Sequence, residues 1–132
     1  MREPTLNIRF QVVVIDAADL AAVSGFWAGV LGGAVDAEDD WHMVMDRDGT
    51  PRIGVQLAAN HVPPDWPDGD QQQQLHRDLW VTDFEAAHDE VIELGAVLLQ
   101  QASDVTAEEG FQVYADPAGH PFCLCWHRTA LA

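Results

Sequence analysis

The sequence predicts an α+β protein made of two copies of one βαβββ unit. Two internal echoes and a recurring order of strand-like and helical runs carry that expectation. Asp19-Leu20-Ala21-Ala22 opens a helical stretch ending in Val30-Leu31-Gly32, and Asp83-Phe84-Glu85-Ala86 opens another ending in Glu93-Leu94-Gly95. Asp46, Gly49 and Pro51 return as Asp116, Gly119 and Pro121, each 70 positions later. A unit this small cannot bury its own apolar face, so the copies are expected to pair, and the cleft between them is a natural ligand site. With 132 residues and 48% hydrophobic content the chain suits a single domain, its modules at about 8–59 and 75–128 and a connector at 60–74.

Phe10 to Ile15 is β-branched and apolar, which predicts a strand. Ala17 to Leu31 places Leu20, Val23, Phe26, Trp27, Val30 and Leu31 at helical spacing, with Asp19 near the start as a cap and Gly32-Gly33 as the stop. Trp27 falls on the core stripe. Strands follow at Ala34 to Val35, Trp41 to Met45 and Pro51 to Ala58, the last two joined by the turn-forming Asp46-Arg47-Asp48-Gly49. Asn60 to Gln74, with Pro63, Pro64, Pro67, Gly69 and four successive glutamines, suits an exposed connector. The order then repeats. Leu75 to Val81 is a strand, Asp83 to Leu94 a helix stopped by Gly95, and Ala96 to Gln100, Gly110 to Ala115 and Pro121 to His127 are strands. Ser103 to Glu109 is a polar loop, and Asp116-Pro117-Ala118-Gly119 turns the last hairpin.

Six basic against 22 acidic residues give a net charge of −16, which disfavours nucleic acid and anionic membrane surfaces as partners and favours cationic small molecules at long range. The acids also serve as a solubilising face. No run reaches membrane-span length and the N-terminus lacks a secretory pattern, so a cytoplasmic location is expected. The two cysteines, Cys123 and Cys125, are too close along an extended chain for an ordinary structural disulfide.

Alternation puts Cys123, Cys125 and His127 on one face of the last strand; with His76 they include zinc-ligand types, but without the usual turn spacing, and two small apolar thiols lining a cleft are the simpler account. His76 stands two positions from Asp78, either as a general base oriented by a carboxylate or as a hydrogen-bonded wall residue. Trp80 shares its face. Trp41 and Met43 alternate on a first-module strand, as an aromatic, adaptable wall or as plain sheet packing. His42, His61, His88 and His120 show no pattern beyond loop or surface positions, and Asp46, Asp48 and Gly49 lack the downstream ligands of a calcium loop. No phosphate-binding glycine loop or serine nucleophile elbow is present.

The duplicated order, Phe26-Trp27-Ala28-Gly29-Val30-Leu31-Gly32 and Asp116-Pro117-Ala118-Gly119-His120-Pro121-Phe122 together resemble the vicinal oxygen chelate superfamily of glyoxalases, bleomycin resistance proteins and extradiol dioxygenases. Leu75-His76-Arg77-Asp78-Leu79 ahead of an Asp-led helix resembles its glyoxalase-like branch. The resemblance implies curved mixed sheets around a cleft with helices outside, and a homodimer. It also implies metal ligands from the first and last strands of each module, at positions that here hold Val12 (or Gln11), Gln56, His76 and Cys123. Only His76 is a strong ligand for the family's ion, so no cofactor is expected, a divalent metal being the lesser alternative. The implied function is capture of a small organic ligand, cationic or aromatic, by Trp41, Met43, Gln56, His76, Asp78, Trp80, Cys123 and Cys125. The alternatives are a lyase, isomerase or dioxygenase with altered ligands or with His76 as metal-free catalyst, and a sensory module.

Overall fold

The computed structural model describes residues 6–129. The chain divides into two compact units, one ending at Ala58 and the other beginning at Ala59. The first contains β1 (Val13–Ala17), α1 (Leu20–Leu31), β2 (Ala34–Ala37), β3 (Trp41–Met45) and β4 (Pro51–Leu57). The second contains β5 (Arg77–Trp80), α2 (Phe84–Leu94), β6 (Val97–Gln100), β7 (Glu109–Ala115) and β8 (Pro121–His127). Each forms a four-stranded mixed sheet, ordered β1-β4-β3-β2 and β5-β8-β7-β6, in which the first strand runs parallel to the last and the other neighbours are antiparallel. The architecture is the duplicated α+β pattern the sequence predicts, and neither sheet closes into a barrel.

The echoes in sequence are echoes in hydrogen bonding. Asp19 Oδ1 accepts from the Ala22 amide and Asp83 Oδ1 from the Ala86 amide, both at 3.1 Å, so each helix starts on the same aspartate cap. Each stops on a glycine in the left-handed region, Gly32 at φ 65° and Gly95 at φ 116°, where a side chain would be strained. In the hairpins, Asp46 Oδ1 accepts from the amides of Asp48 and Thr50, and Asp116 Oδ1 from those of Ala118 and His120. One carboxylate thus ties each β-turn, with Arg52 closing the first knot and His120 the second.

In the first unit Leu20, Val23, Phe26 and Trp27 of α1 are buried with Val44, Ile53 and Val55 of the sheet. Alternation sends Trp41, Met43 and Gln56 to the opposite face, where the Trp41 ring lies across Gly54 so closely that an added Cβ would stand 2.3 Å from it. In the second unit Phe84 packs at a tilt against Trp126 with ring centres 4.3 Å apart, and Tyr114 stacks on Phe122 at 5.5 Å.

Four histidines assigned from sequence to loop or surface positions have structural partners instead. His42, on β3, meets Ser24 Oγ of α1 at 2.7 Å. His88, on α2, meets the Tyr114 hydroxyl of β7 at 2.6 Å, and that hydroxyl also accepts from Gln112 Nε2 at 2.9 Å. His61 pairs with the Ala118 carbonyl at 2.9 Å, and His120 with Asp116 at 2.8 Å. Buried polar groups need such partners, which single-sequence spacing does not reveal.

Candidate functional site

The second sheet has two unlike faces. Parallel registration sets Asp78 beside Cys123 and Trp80 beside Cys125, while antiparallel registration adds Val113 and Phe111 to the same rows. Leu124 and Trp126 turn to the helix side with Phe84 and Val91. The other face holds a groove of about 610 Å³. Cys123 and Cys125 form part of its floor, Trp66, Trp80 and Phe111 supply aromatic walls, and Asp78 and Glu109 bring carboxylates. His76, Gln100 and Gly110 complete the lining, in which no described residue is a lysine or arginine.

The sequence-predicted residues divide between the units. His76, Asp78, Trp80, Cys123 and Cys125 line this groove together, whereas Trp41, Met43 and Gln56 belong to the first unit's sheet. Val12 stands just ahead of β1 and offers no donor atom, and Gln56 Nε2 donates to Asp16 Oδ1 at 3.4 Å. His127 pairs with Glu109 at 3.3 Å. Trp66 is the chief residue missed, because its Pro- and Gln-rich surroundings read as connector. It packs on Val113, Cys123 and Cys125, donates from Nε1 to Gln100 Oε1 at 3.2 Å, and sets its ring edge-on to His76 at 6.3 Å. Phe111 could have been found by carrying strand alternation from Val113. Gln100 and Glu109 gave no signal.

His76 Nε2 lies 3.2 Å from Asp78 Oδ1, with both side chains partly in solvent. Cys123 and Cys125 are buried, and burial pushes their thiols up, to about 12 and about 11; the neighbouring Asp78 carboxylate pushes both the same way. Thiols so disposed stay protonated at neutral pH and are poor nucleophiles, so the floor is soft and apolar rather than an activated cysteine centre.

A family model described as a glyoxalase-like domain matches residues 12–125. The chain belongs to the glyoxalase-like domain family. Similar solved structures share the fold of this glyoxalase-like protein at low identity. The fosfomycin resistance protein FosX from Listeria monocytogenes aligns over 92% of this chain and 94% of its own, at 11% identity and a TM-score of 0.65. A glyoxalase/bleomycin resistance protein/dioxygenase family enzyme from Burkholderia phytofirmans PsJN aligns over 87% and 95%, at 17% identity and 0.63. TioX from Micromonospora sp. ML1 aligns over 88% and 96%, at 16% identity and 0.59. No curated protein sequence matches.

The donors at the metal positions the family resemblance implies do not fit a hard divalent ion. Val12 is hydrocarbon, Gln56 is a neutral amide engaged with Asp16, and Cys123 is a buried thiol, which leaves His76 alone as a usual ligand.

Proposed function

We propose that this glyoxalase-like protein captures a small organic ligand, aromatic and cationic, in the groove of its second unit, without the four-position metal set of its metal-dependent relatives. The observation that carries this reading is the lining. Trp66, Trp80 and Phe111 surround a space that holds the carboxylates of Asp78 and Glu109 and, among the described residues, no lysine or arginine. Exposed indole and phenyl faces attract a cationic ring by stacking and cation–π contact, worth roughly 0.5–2 kcal/mol per contact. The net charge of −16 adds long-range attraction. Binding without chemistry also suits thiols that stay protonated. A structural neighbour named as a fosfomycin resistance protein is in keeping with a role in handling a toxic small molecule.

Tryptophan fluorescence titrations with size-matched cationic, neutral and anionic acridine derivatives, at low and high salt, test the proposal. The cation should bind tightest, with salt reducing its advantage but leaving stacking in place. Equal or tighter binding of the anion overturns it.

One observation favours an enzymatic second reading: the His76–Asp78 pair at 3.2 Å has the form of a base held by a carboxylate. Its mark would be conversion of the bound molecule, lost in His76→Gln while binding persists. We further infer a homodimer, supported by Ile8, Phe10, Val14 and Leu57, which a single chain leaves exposed. A cytoplasmic location suits the free thiols. Among the described residues no helix is long and apolar enough to cross a membrane.

A further inference from the structure

We infer that the groove carries a zinc site of its own, made by His76, Asp78 and Cys123 of the second unit. It differs from the family's set in its ligands and in needing no residue of the first unit. A nitrogen of His76, a carboxylate oxygen of Asp78 and the sulfur of Cys123 all lie within 4.8 Å of one another.

The sheet dictates this convergence. His76, just ahead of β5, reaches Asp78 with its Nε2 3.2 Å from Asp78 Oδ1, and Asp78 is the registered partner of Cys123 across the parallel β5–β8 ladder. Backbone pairing therefore fixes Asp78 against Cys123, and the contact with Asp78 brings in His76. Ligands on a tetrahedral zinc sit roughly 3.5 Å apart, given metal–ligand distances of about 2.0–2.3 Å. His76 and Asp78 already stand at 3.2 Å, so closure requires only a small movement of the thiol or of the pair toward it.

The donors select the ion. Imidazole, carboxylate and sulfur together suit zinc and its cobalt surrogate, whereas magnesium or calcium would want oxygen throughout. Asp78 supplies the anionic oxygen that Val12 and Gln56 cannot. Cys123 is 4% exposed and would hold the ion from below, while His76 and Asp78 keep side-chain exposures of 37% and 48%. The fourth position would thus open into the groove, as in zinc sites that retain an exchangeable ligand.

Cobalt(II) provides the test, because a bound thiolate gives a sulfur-to-cobalt charge-transfer band independent of any activity or organic ligand. Chelator-treated full-length protein should take up one equivalent of cobalt with that band, and one equivalent of zinc should displace it. Cys123→Ser should abolish the band, His76→Ala and Asp78→Asn should each weaken zinc by at least about tenfold, and Cys125→Ser should keep it. Far-UV circular dichroism checks each variant's fold, and Cys123→Ala replaces Cys123→Ser should the buried hydroxyl unfold the chain. The assignment is overturned by absence of saturable cobalt or zinc binding, or by a full-strength band in the folded Cys123 variant. A band lost with Cys125 but not with Cys123 overturns it equally.

Discussion

Trp80→Ala should weaken capture of a cationic aromatic probe by about twentyfold. Trp80 ends β5 on the groove face, and 59% of it is open to solvent, an unusual exposure for an indole. A large aromatic side chain presents roughly 250 Å². One ring face of the exposed part is then about 75 Å², and covering it at about 25 cal/mol per Å² contributes nearly 2 kcal/mol. Since about 1.4 kcal/mol is tenfold in affinity, the dissociation constant should rise about twentyfold. The assay is a fluorescence titration of a cationic acridine against wild type and variant, the dye's own emission reporting in the variant. Trp80→Phe should recover part of the loss, since a smaller ring still stacks. A change under about threefold, or an equal change for a flexible aliphatic cation, would refute the stacking argument, because the covered area sets the scale.

Three further predictions concern the buried polar groups and the carboxylate beside them. Tyr114→Phe removes the hydroxyl shared by His88 and Gln112, leaving buried Gln112 short of a partner, and should cost about 1–3 kcal/mol in urea unfolding without altering probe binding. In metal-free protein at pH 8 the thiolate fraction should fall, and alkylation slow, by roughly two-hundredfold at Cys125 and two-thousandfold at Cys123 relative to urea, since the unfolded thiol ionises near 8.5 and the folded ones at about 11 and about 12. Because those values are raised, the stability they confer is complete below the unfolded pKa and is lost as pH climbs through the folded values. The urea midpoint should therefore begin to fall above about pH 9. Asp78→Asn should speed alkylation of Cys123 by removing the charge that opposes the thiolate.

Local rules were legible wherever a residue acts on its own backbone. The Asp caps, the Gly stops and both Asp-tied hairpins follow from short-range chemistry, and the sequence displays each twice. Strand limits were less legible, since pairing decides them. Phe10 to Val12 are strand-like by composition, yet β1 begins at Val13, opposite Ile53, two residues into β4. Leu75 and His76 likewise precede β5, whose ladder with β8 runs only from Arg77 to Trp80. Half of the groove could be read from alternation, because His76, Asp78 and Trp80 share one parity and Cys123 and Cys125 another. Trp66 could not be read, since its place depends on a long segment folding back over Val113 and the cysteines. The meeting of Asp78 with Cys123 was equally hidden until the register between β5 and β8 was known.

The pairs Ser24–His42 and His88–Tyr114 act as keys. An amphipathic helix on an apolar sheet face has many settings of rotation and slide that differ little in buried area. One hydrogen bond between helix and sheet removes most of that degeneracy, because in every other setting a buried polar atom goes without a partner. The two units solve the problem with reversed parts, imidazole on the sheet in the first and on the helix in the second. The pose of each helix is thus set separately, and a substitution that shifts one pose need not have an equivalent in the other copy.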